Sequence, residues 1–391
     1  MWKKFTMAHS LNPPTPQIPS RVFPGAKDAY LRGRLYLGML AVGSWVMCSV
    51  FLLTTSWLES CHQWLIQSGA PEITALSLIL CGFYLLQAPL DWLGGYWLPR
   101  RCGMSAYISL HGYGVAVLKH AILLMGSITT LHLVGRHAGL PAACGVLIFL
   151  LALGVQSQHV LACWLGNLES TPGPKETDLF LYMATDPAFS GGISGWPGRE
   201  RIIVNQAWQG VLKSDGMVWL KERRRRAVRS GLRMTGLLWA IAWISLSFVF
   251  AALLAGFPGD DGMATLRLLL YGVFFHFGGL LLLPTLSRRG SIALDRSAPS
   301  IDNESPRTRG WIASMTLLTD GEEQRSPWIE RIFHPLPSMT NRLSPQLGSD
   351  WGAWNATRYM LFLSTLAGGL LSRSVHCNLG RPELWIMPPV D

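Results

Sequence analysis

The stretch Thr235-Gly-Leu-Leu-Trp-Ala-Ile-Ala-Trp-Ile-Ser-Leu-Ser-Phe-Val-Phe-Ala-Ala-Leu-Leu-Ala-Gly-Phe257 carries no charged side chain, and Lys221-Glu-Arg-Arg-Arg-Arg226 stands shortly before it. A helix of this length crosses a hydrocarbon core of about 30 Å. Cations at one end, with Asp260 and Asp261 beyond the other, mark a span whose basic end stays in the cytoplasm. Outward from this segment, similar apolar runs recur near 35–58, 73–90, 113–134, 140–164 and 264–286. Charged residues make up only 14% of the chain, against about 25% in soluble domains. The fold class is therefore an all-α polytopic membrane protein of about six transmembrane helices. A seventh candidate, Tyr359–Leu371, is short enough to span, lie at the interface or pack on the bundle. The run at 73–90 meets Pro89 and Asp91, where the helix either ends or continues with a kink.

Basic residues alternate between the connecting segments. Lys3, Lys4, Arg21, Lys27, Arg32 and Arg34 precede the first run, and Arg100 and Arg101 follow the second. The segment from Glu59 to Glu72 has neither Lys nor Arg. This bias predicts a multi-pass protein with its N-terminus in the cytoplasm, in the plasma membrane or, if bacterial, the inner membrane. It also accounts for most of the net charge of +10, so nucleic acid is not an expected partner and membrane lipid is. No cleavable signal peptide is expected, because five prolines interrupt the first thirty residues. The seven cysteines form no C-x-x-C pair, and the scattered histidines read as packing residues.

The polar parts organise the chain into a basic, Pro-rich segment (1–34), four spans (35–165), a folded unit (166–234), two spans (235–286), a second polar part (287–350) and a C-terminal apolar helix and tail (351–391). Within the first unit, Ser190-Gly-Gly-Ile-Ser-Gly-Trp-Pro-Gly198 followed by Arg201-Ile-Ile-Val204 predicts a β-hairpin rather than a phosphate cradle, since no Lys-Ser/Thr pair follows the glycines. In the second, Ala298–Thr308 reads as a connection and Gly310–Leu318 as a helix.

Several of these segments, in order, resemble the membrane zinc metallopeptidases that include the CAAX prenyl endopeptidase and the HtpX heat-shock protease, metallopeptidase family 48. Leu98-Pro-Arg-Arg-Cys-Gly-Met-Ser105 is similar to the family's basic sequence ahead of a long helix. Gly191–Val204 resembles its glycine turn and edge strand, which implies that Gly195, Arg201, Ile202, Ile203 and Val204 lie where an extended substrate would pair. Ser287-Arg-Arg-Gly-Ser-Ile-Ala-Leu-Asp295 keeps Ser287, Arg288 and Asp295 of a family helix. His334-Pro335 and Arg342 resemble its closing His-Pro…Arg element. The resemblance implies a small α+β cytoplasmic unit of metallopeptidase type.

Where the family carries H-E-x-x-H, whose histidines hold zinc while the glutamate activates water, this register gives Lys221-Glu-Arg-Arg-Arg225. The third ligand position falls on Ser291. Only Glu222, at the general-base position, is retained. Neutralising a lysine at pH 7 costs roughly 4–5 kcal/mol before any metal bond forms, and arginine cannot be deprotonated. No metal and no cofactor are therefore expected, although an active member would carry zinc. The function this implies is a pseudoenzyme acting as a binding, adaptor or scaffold protein, with a peptide or membrane-protein segment as partner. Glu222 is then expected within a packed cleft, with Arg223 the more exposed neighbour. The alternatives are an active metalloendopeptidase drawing ligands from His276, His334 or His376, and a transporter-like protein.

Overall fold

A computed structural model describes residues 24–104, 109–172, 179–186, 188–259, 262–296, 306–319, 325–343 and 351–387. The chain begins with α1 (Pro24–Thr54), α2 (Trp57–Gln67) and α3 (Glu72–Trp92). A π-turn (Leu93–Trp97) leads into α4 (Leu98–Arg101), and α5 (Leu110–Gly166) follows. Four strands come next: β1 (Glu169–Pro172), β2 (Leu179–Met183), β3 (Gly191–Ser194) and β4 (Arg201–Asn205). Then come α6 (Trp208–Arg229), α7 (Leu232–Ala255), α8 (Gly262–Arg296), α9 (Pro306–Leu318), α10 (Pro327–Phe333), α11 (Met339–Leu343), α12 (Ala356–Ser364) and α13 (Glu383–Ile386).

Five of these helices, α1, α3 with α4, α5, α7 and α8, are long and apolar enough to cross a membrane. They carry the six apolar runs because α5 holds two. Its backbone breaks at Gly139 (φ 82°, ψ 176°), just ahead of Pro141. The arms fold back on each other, and the Lys119 ammonium on the first donates to the Trp164 carbonyl on the second (2.5 Å). A glycine–proline pair supplies both the left-handed residue and the helix interruption such a turn requires.

On α1 the buried residues Tyr30, Arg34, Ala41, Trp45, Ser49 and Leu52 form one stripe at helical spacing, while Tyr36, Leu40, Met47 and Phe51 stay exposed. An apolar surface of that kind faces lipid in a protein of this class. The helix α3 continues through Pro89, and the π-turn absorbs the disruption. Asp91, next to that turn, is 1% exposed and pairs with Arg373.

The seventh candidate does not span. Its helix, α12, has nine residues, roughly half the length a hydrocarbon core demands. Instead, nearly every residue from 352 to 387 is buried among α1, α3, α5, α7 and α8. The close approach is permitted by Gly95, where any Cβ would strike the backbone of Gly380. The C-terminal segment is thus an interior element of the bundle.

The strand order is β1-β2-β4-β3, with β2 and β4 parallel and both outer pairings antiparallel. The hairpin expected at 191–204 is β3 with β4. One face of the sheet builds a satellite core from Leu179, Leu181, Ile202, Val204, Trp208 and Leu220, closed by Ile312 and Met315 of α9. Most of the connection at 298–308 lies outside the described residues, as does the polar N-terminal segment up to residue 23.

Candidate functional site

The basic helix begins properly after Lys213, whose left-handed backbone (φ 57°) separates it from the first turn of α6. From there its buried face is Leu220, Arg223, Arg224 and Ala227. Two of the clustered arginines are therefore core residues, each held by a partner that cancels the cost of burial. Arg223 Nε donates to Asp295 Oδ1 at 2.6 Å. Arg342 reaches the same carboxylate from the other side, Nε to Oδ2 at 2.8 Å and Nη2 to Oδ1 at 3.1 Å. One buried aspartate on α8 thus joins α6 to α11 through two guanidinium groups.

Arg224 donates to the carbonyls of Ile203 and Ser190, and Arg233 to that of Gly195 (2.5 Å). These contacts seat the β3–β4 hairpin on the helix pair. Lys221 and Arg225 occupy the partly exposed flank. Glu222 sits there too, 35% exposed, 3.1 Å from Arg229 and 3.7 Å from Arg226. The expectation of a packed Glu222 beside an exposed Arg223 is reversed. Two residues of the helix face the interior and the next two turn outward, so the buried neighbour is Arg223.

The remaining motif residues form a connected framework. Ser287, Ser291 and Asp295 are all buried along one face of α8. The Ser287 hydroxyl binds Thr357, while Ser291 Oγ has no hydrogen-bond partner. Arg288 caps the end of α10, donating to the carbonyls of Glu330, Arg331 and His334. The His334 ring, followed by Pro335, meets His376 edge to face with centroids 4.9 Å apart. That contact joins two histidines distant in sequence, whereas His276 sits inside α8 among apolar neighbours. Burial, followed by the charge of Arg325, holds His334 well below the usual histidine range.

The strand assigned to substrate pairing requires correction. β4, with Ile202, Ile203 and Val204, is bonded on both sides, to β2 and to β3, so its ladder groups are already used. The edges of the sheet are β1 and β3, and the one next to β4 is β3. Gly195 terminates it with φ 91° and donates to the Val155 carbonyl of α5 (3.1 Å). Arg201 packs over Phe180. All four residues of β3 are buried, and the space beside them, about 260 Å³ counting what opens to solvent, is lined by Gln158, Asn355, Arg358, Tyr359 and Met387. That is below the usual range of ligand pockets, roughly 300–1,000 Å³.

The donor set does not fit zinc. The ligand positions of the resemblance carry Lys221, Arg225 and Ser291, and a guanidinium can neither ligate nor lose its proton. Among the described residues, no three His, Cys, Asp or Glu side chains are drawn together as a closed metal site requires. Sequence reading identified Asp295 and Arg342 but assigned them no joint role, and it missed Arg373, Arg381 and Glu383. Their only signal was charge inside an otherwise apolar C-terminal stretch.

No protein-family model matches the chain, and no curated protein sequence matches it. Among solved structures, its fold is similar to that of Ste24p from S. mikatae, with a TM-score of 0.57. Identity is 10%, and the match covers 73% of this chain and 78% of that one. At that identity the likeness is one of fold, and it supports the metallopeptidase resemblance at the level of architecture.

Proposed function

We propose that this chain is a membrane protein built on the Ste24p-like fold that no longer cleaves peptides and instead serves as an adaptor or scaffold. The observation that carries this reading is the set of side chains at the ligand positions of the resemblance, Lys221 and Arg225 on α6 and Ser291 on α8, where the family has two histidines and a glutamate. The metallopeptidase resemblance implies that in an active member the corresponding helices would supply the ligands of a hydrolytic metal. Here those positions offer a lysine, an arginine and a serine, and a divalent cation brought beside the guanidinium would meet repulsion of several kcal/mol even at an effective dielectric near 20. A fold does not keep its chemistry once the site residues have changed.

The binding role is supported by Val218 and Trp328, large apolar side chains exposed outside the spans at 60% and 71%. The sheet-bearing end is assigned to the cytoplasm on the distribution of Lys and Arg. The test is to incubate the purified protein in lipid nanodiscs with unfolded and with prenylated peptides. No cleavage is expected. Chelator-sensitive cleavage that disappears on substituting a residue of this chain overturns the reading.

A further inference from the structure

Near the middle of the apolar run 264–286 of α8 stands a polar side chain that its surroundings leave unmet. His276 is 5% exposed, and among the described residues neither its Nδ1 nor its Nε2 has a hydrogen-bond partner. A neutral imidazole carries one N–H donor and one bare acceptor, and lipid offers a partner to neither. Such burial is costly unless something occupies the space in front of the ring. Two other histidines buried in the spans are met differently. His120 Nδ1 lies 2.6 Å from the Tyr84 hydroxyl, and His132 Nδ1 lies 2.8 Å from the Thr265 hydroxyl. Each of these rings receives a hydroxyl from a neighbouring helix, and His276 receives none.

The His276 ring lines a space of about 260 Å³, counting the part that opens outward, between α7, α8 and the C-terminal segment. Ile244, Phe248 and Ala251 of α7 and Leu268 and Leu269 of α8 make the walls apolar, and Ser247 adds a hydroxyl. On the C-terminal side the wall includes Gly368, whose left-handed backbone (φ 81°) comes so close that a Cβ there would strike the Leu269 side chain. Gly272, one turn before His276 on the same face of α8, is only partly buried. A Cβ placed on it would meet nothing nearer than the His276 ring, 4.0 Å away. The space is therefore open past Gly272, and an opening at that depth of a span meets lipid. Its size is below the usual range of ligand pockets, roughly 300–1,000 Å³, so it takes one small polar group on an apolar stem rather than a whole lipid.

We infer that His276 and the space beside it bind the hydroxyl end of a neutral alcohol dissolved in the membrane, admitted past Gly272 with the rest of its apolar stem left in lipid. A hydroxyl can donate to the bare ring nitrogen or accept from the protonated one, and it is the kind of partner that Tyr84 and Thr265 supply to the other two rings. An ion does not suit the site, because no aspartate, glutamate, lysine or arginine lines it and a charge there would be desolvated without compensation. An alkane would leave both nitrogens unmet. His276 lies about four turns of α8 from Ser291, so the site does not depend on whether the protein cleaves peptides.

The experiment uses the full chain in lipid nanodiscs, irradiated with a diazirine-bearing n-octanol and mapped by mass spectrometry. Saturable adducts are expected on the α7 and α8 residues around His276, displaced by excess n-octanol and not by n-octane. His276→Phe keeps an aromatic ring and removes both nitrogens, and it should weaken the saturable labelling about tenfold, the worth of one hydrogen bond. Gly272→Leu leaves the nitrogens in place and fills the opening, and it should abolish that labelling. Each variant is first checked for the parent's helical content and melting temperature. The comparison of n-octanol with n-octane is made on the parent, so it decides the matter even where a variant fails to fold. Overturning results are displacement by n-octane as effective as by n-octanol, which makes the space a plain apolar void, or labelling unchanged in folded His276→Phe. Labelling no greater than at the exposed Leu246 and Phe250 reports partition into the bilayer alone, and the absence of saturable labelling leaves the ring to water; either result also overturns the proposal.

Discussion

Asp295 and Glu222 are both carboxylates among arginines, yet burial gives them different weights. Asp295 is enclosed with Arg223 and Arg342, so Asp295→Asn removes the carboxylate that two buried guanidiniums share. A loss of about 3–5 kcal/mol is expected. Glu222, on the outer flank with Arg229, should tolerate Glu222→Gln at a cost of about 0–1 kcal/mol. Melting curves of the two variants in the same detergent check the contrast, and equal losses would contradict the burial assignment. A second residue-scale prediction concerns Glu383, which accepts hydrogen bonds from Thr185 and from the Asp186 amide. Burial, and then the charge of Asp186, push its carboxyl up to about 7. A raised acid pKa means the folded state holds the proton more tightly than the unfolded state. The associated stability is complete below about 4.5 and is lost as pH rises to about 7. The parent protein should therefore gain melting temperature relative to Glu383→Gln as pH falls from 8 to 5. Comparing the two is necessary because His334, held low, contributes with the opposite sign over part of that range.

At the scale of elements, the long apolar runs were legible because a span must satisfy its backbone internally, and length with composition nearly suffices to identify one. The hairpin at 191–204 was legible for a related reason, glycines bounding a β-branched run. Three features were not. The order of strands depends on pairing between distant segments, so nothing in Arg201–Val204 reveals that β4 is central rather than an edge. Which arginines of 223–226 turn inward depends on the break at Lys213 and on Asp295, 72 residues away. The continuation of α3 past Pro89 rests on Arg373, far along the chain, to which Asp91 is paired. The structure thus gathers Asp295 and Arg342 of the sequence motifs at one place, while the inward-facing arginines and the edge strand differ from the expectation. The contact of the C-terminal segment with α3 gives a test at this scale. Gly95→Ala introduces a methyl where the backbone of Gly380 already lies, and neither backbone has a flexible end to yield. A destabilisation of about 1–3 kcal/mol is expected, read as a lower detergent-denaturation midpoint.

At the scale of the whole molecule, the two ends of the bundle differ in kind. One carries the sheet, the clustered arginines and the capped helices; the other carries α2 and the turn of the α5 hairpin. If the sheet end is cytoplasmic, a single cysteine introduced at Ser68 should react with an impermeant thiol reagent added from outside, and one at Glu200 should not. The seven native cysteines, all unpaired among the described residues, are replaced beforehand. Labelling at Glu200 and protection at Ser68 would invert the topology.

The burial of 352–387 also sets an order of events. A ribosome releases these residues only after every span has been delivered to the membrane, and until then Asp91 lacks Arg373, Asp186 lacks Arg381 and the helices enclose a void. Insertion and completion are therefore separate stages, with the nascent bundle inserted but unfilled between them. A chain in that interval carries carboxylates in its interior whose counter-charges have yet to arrive.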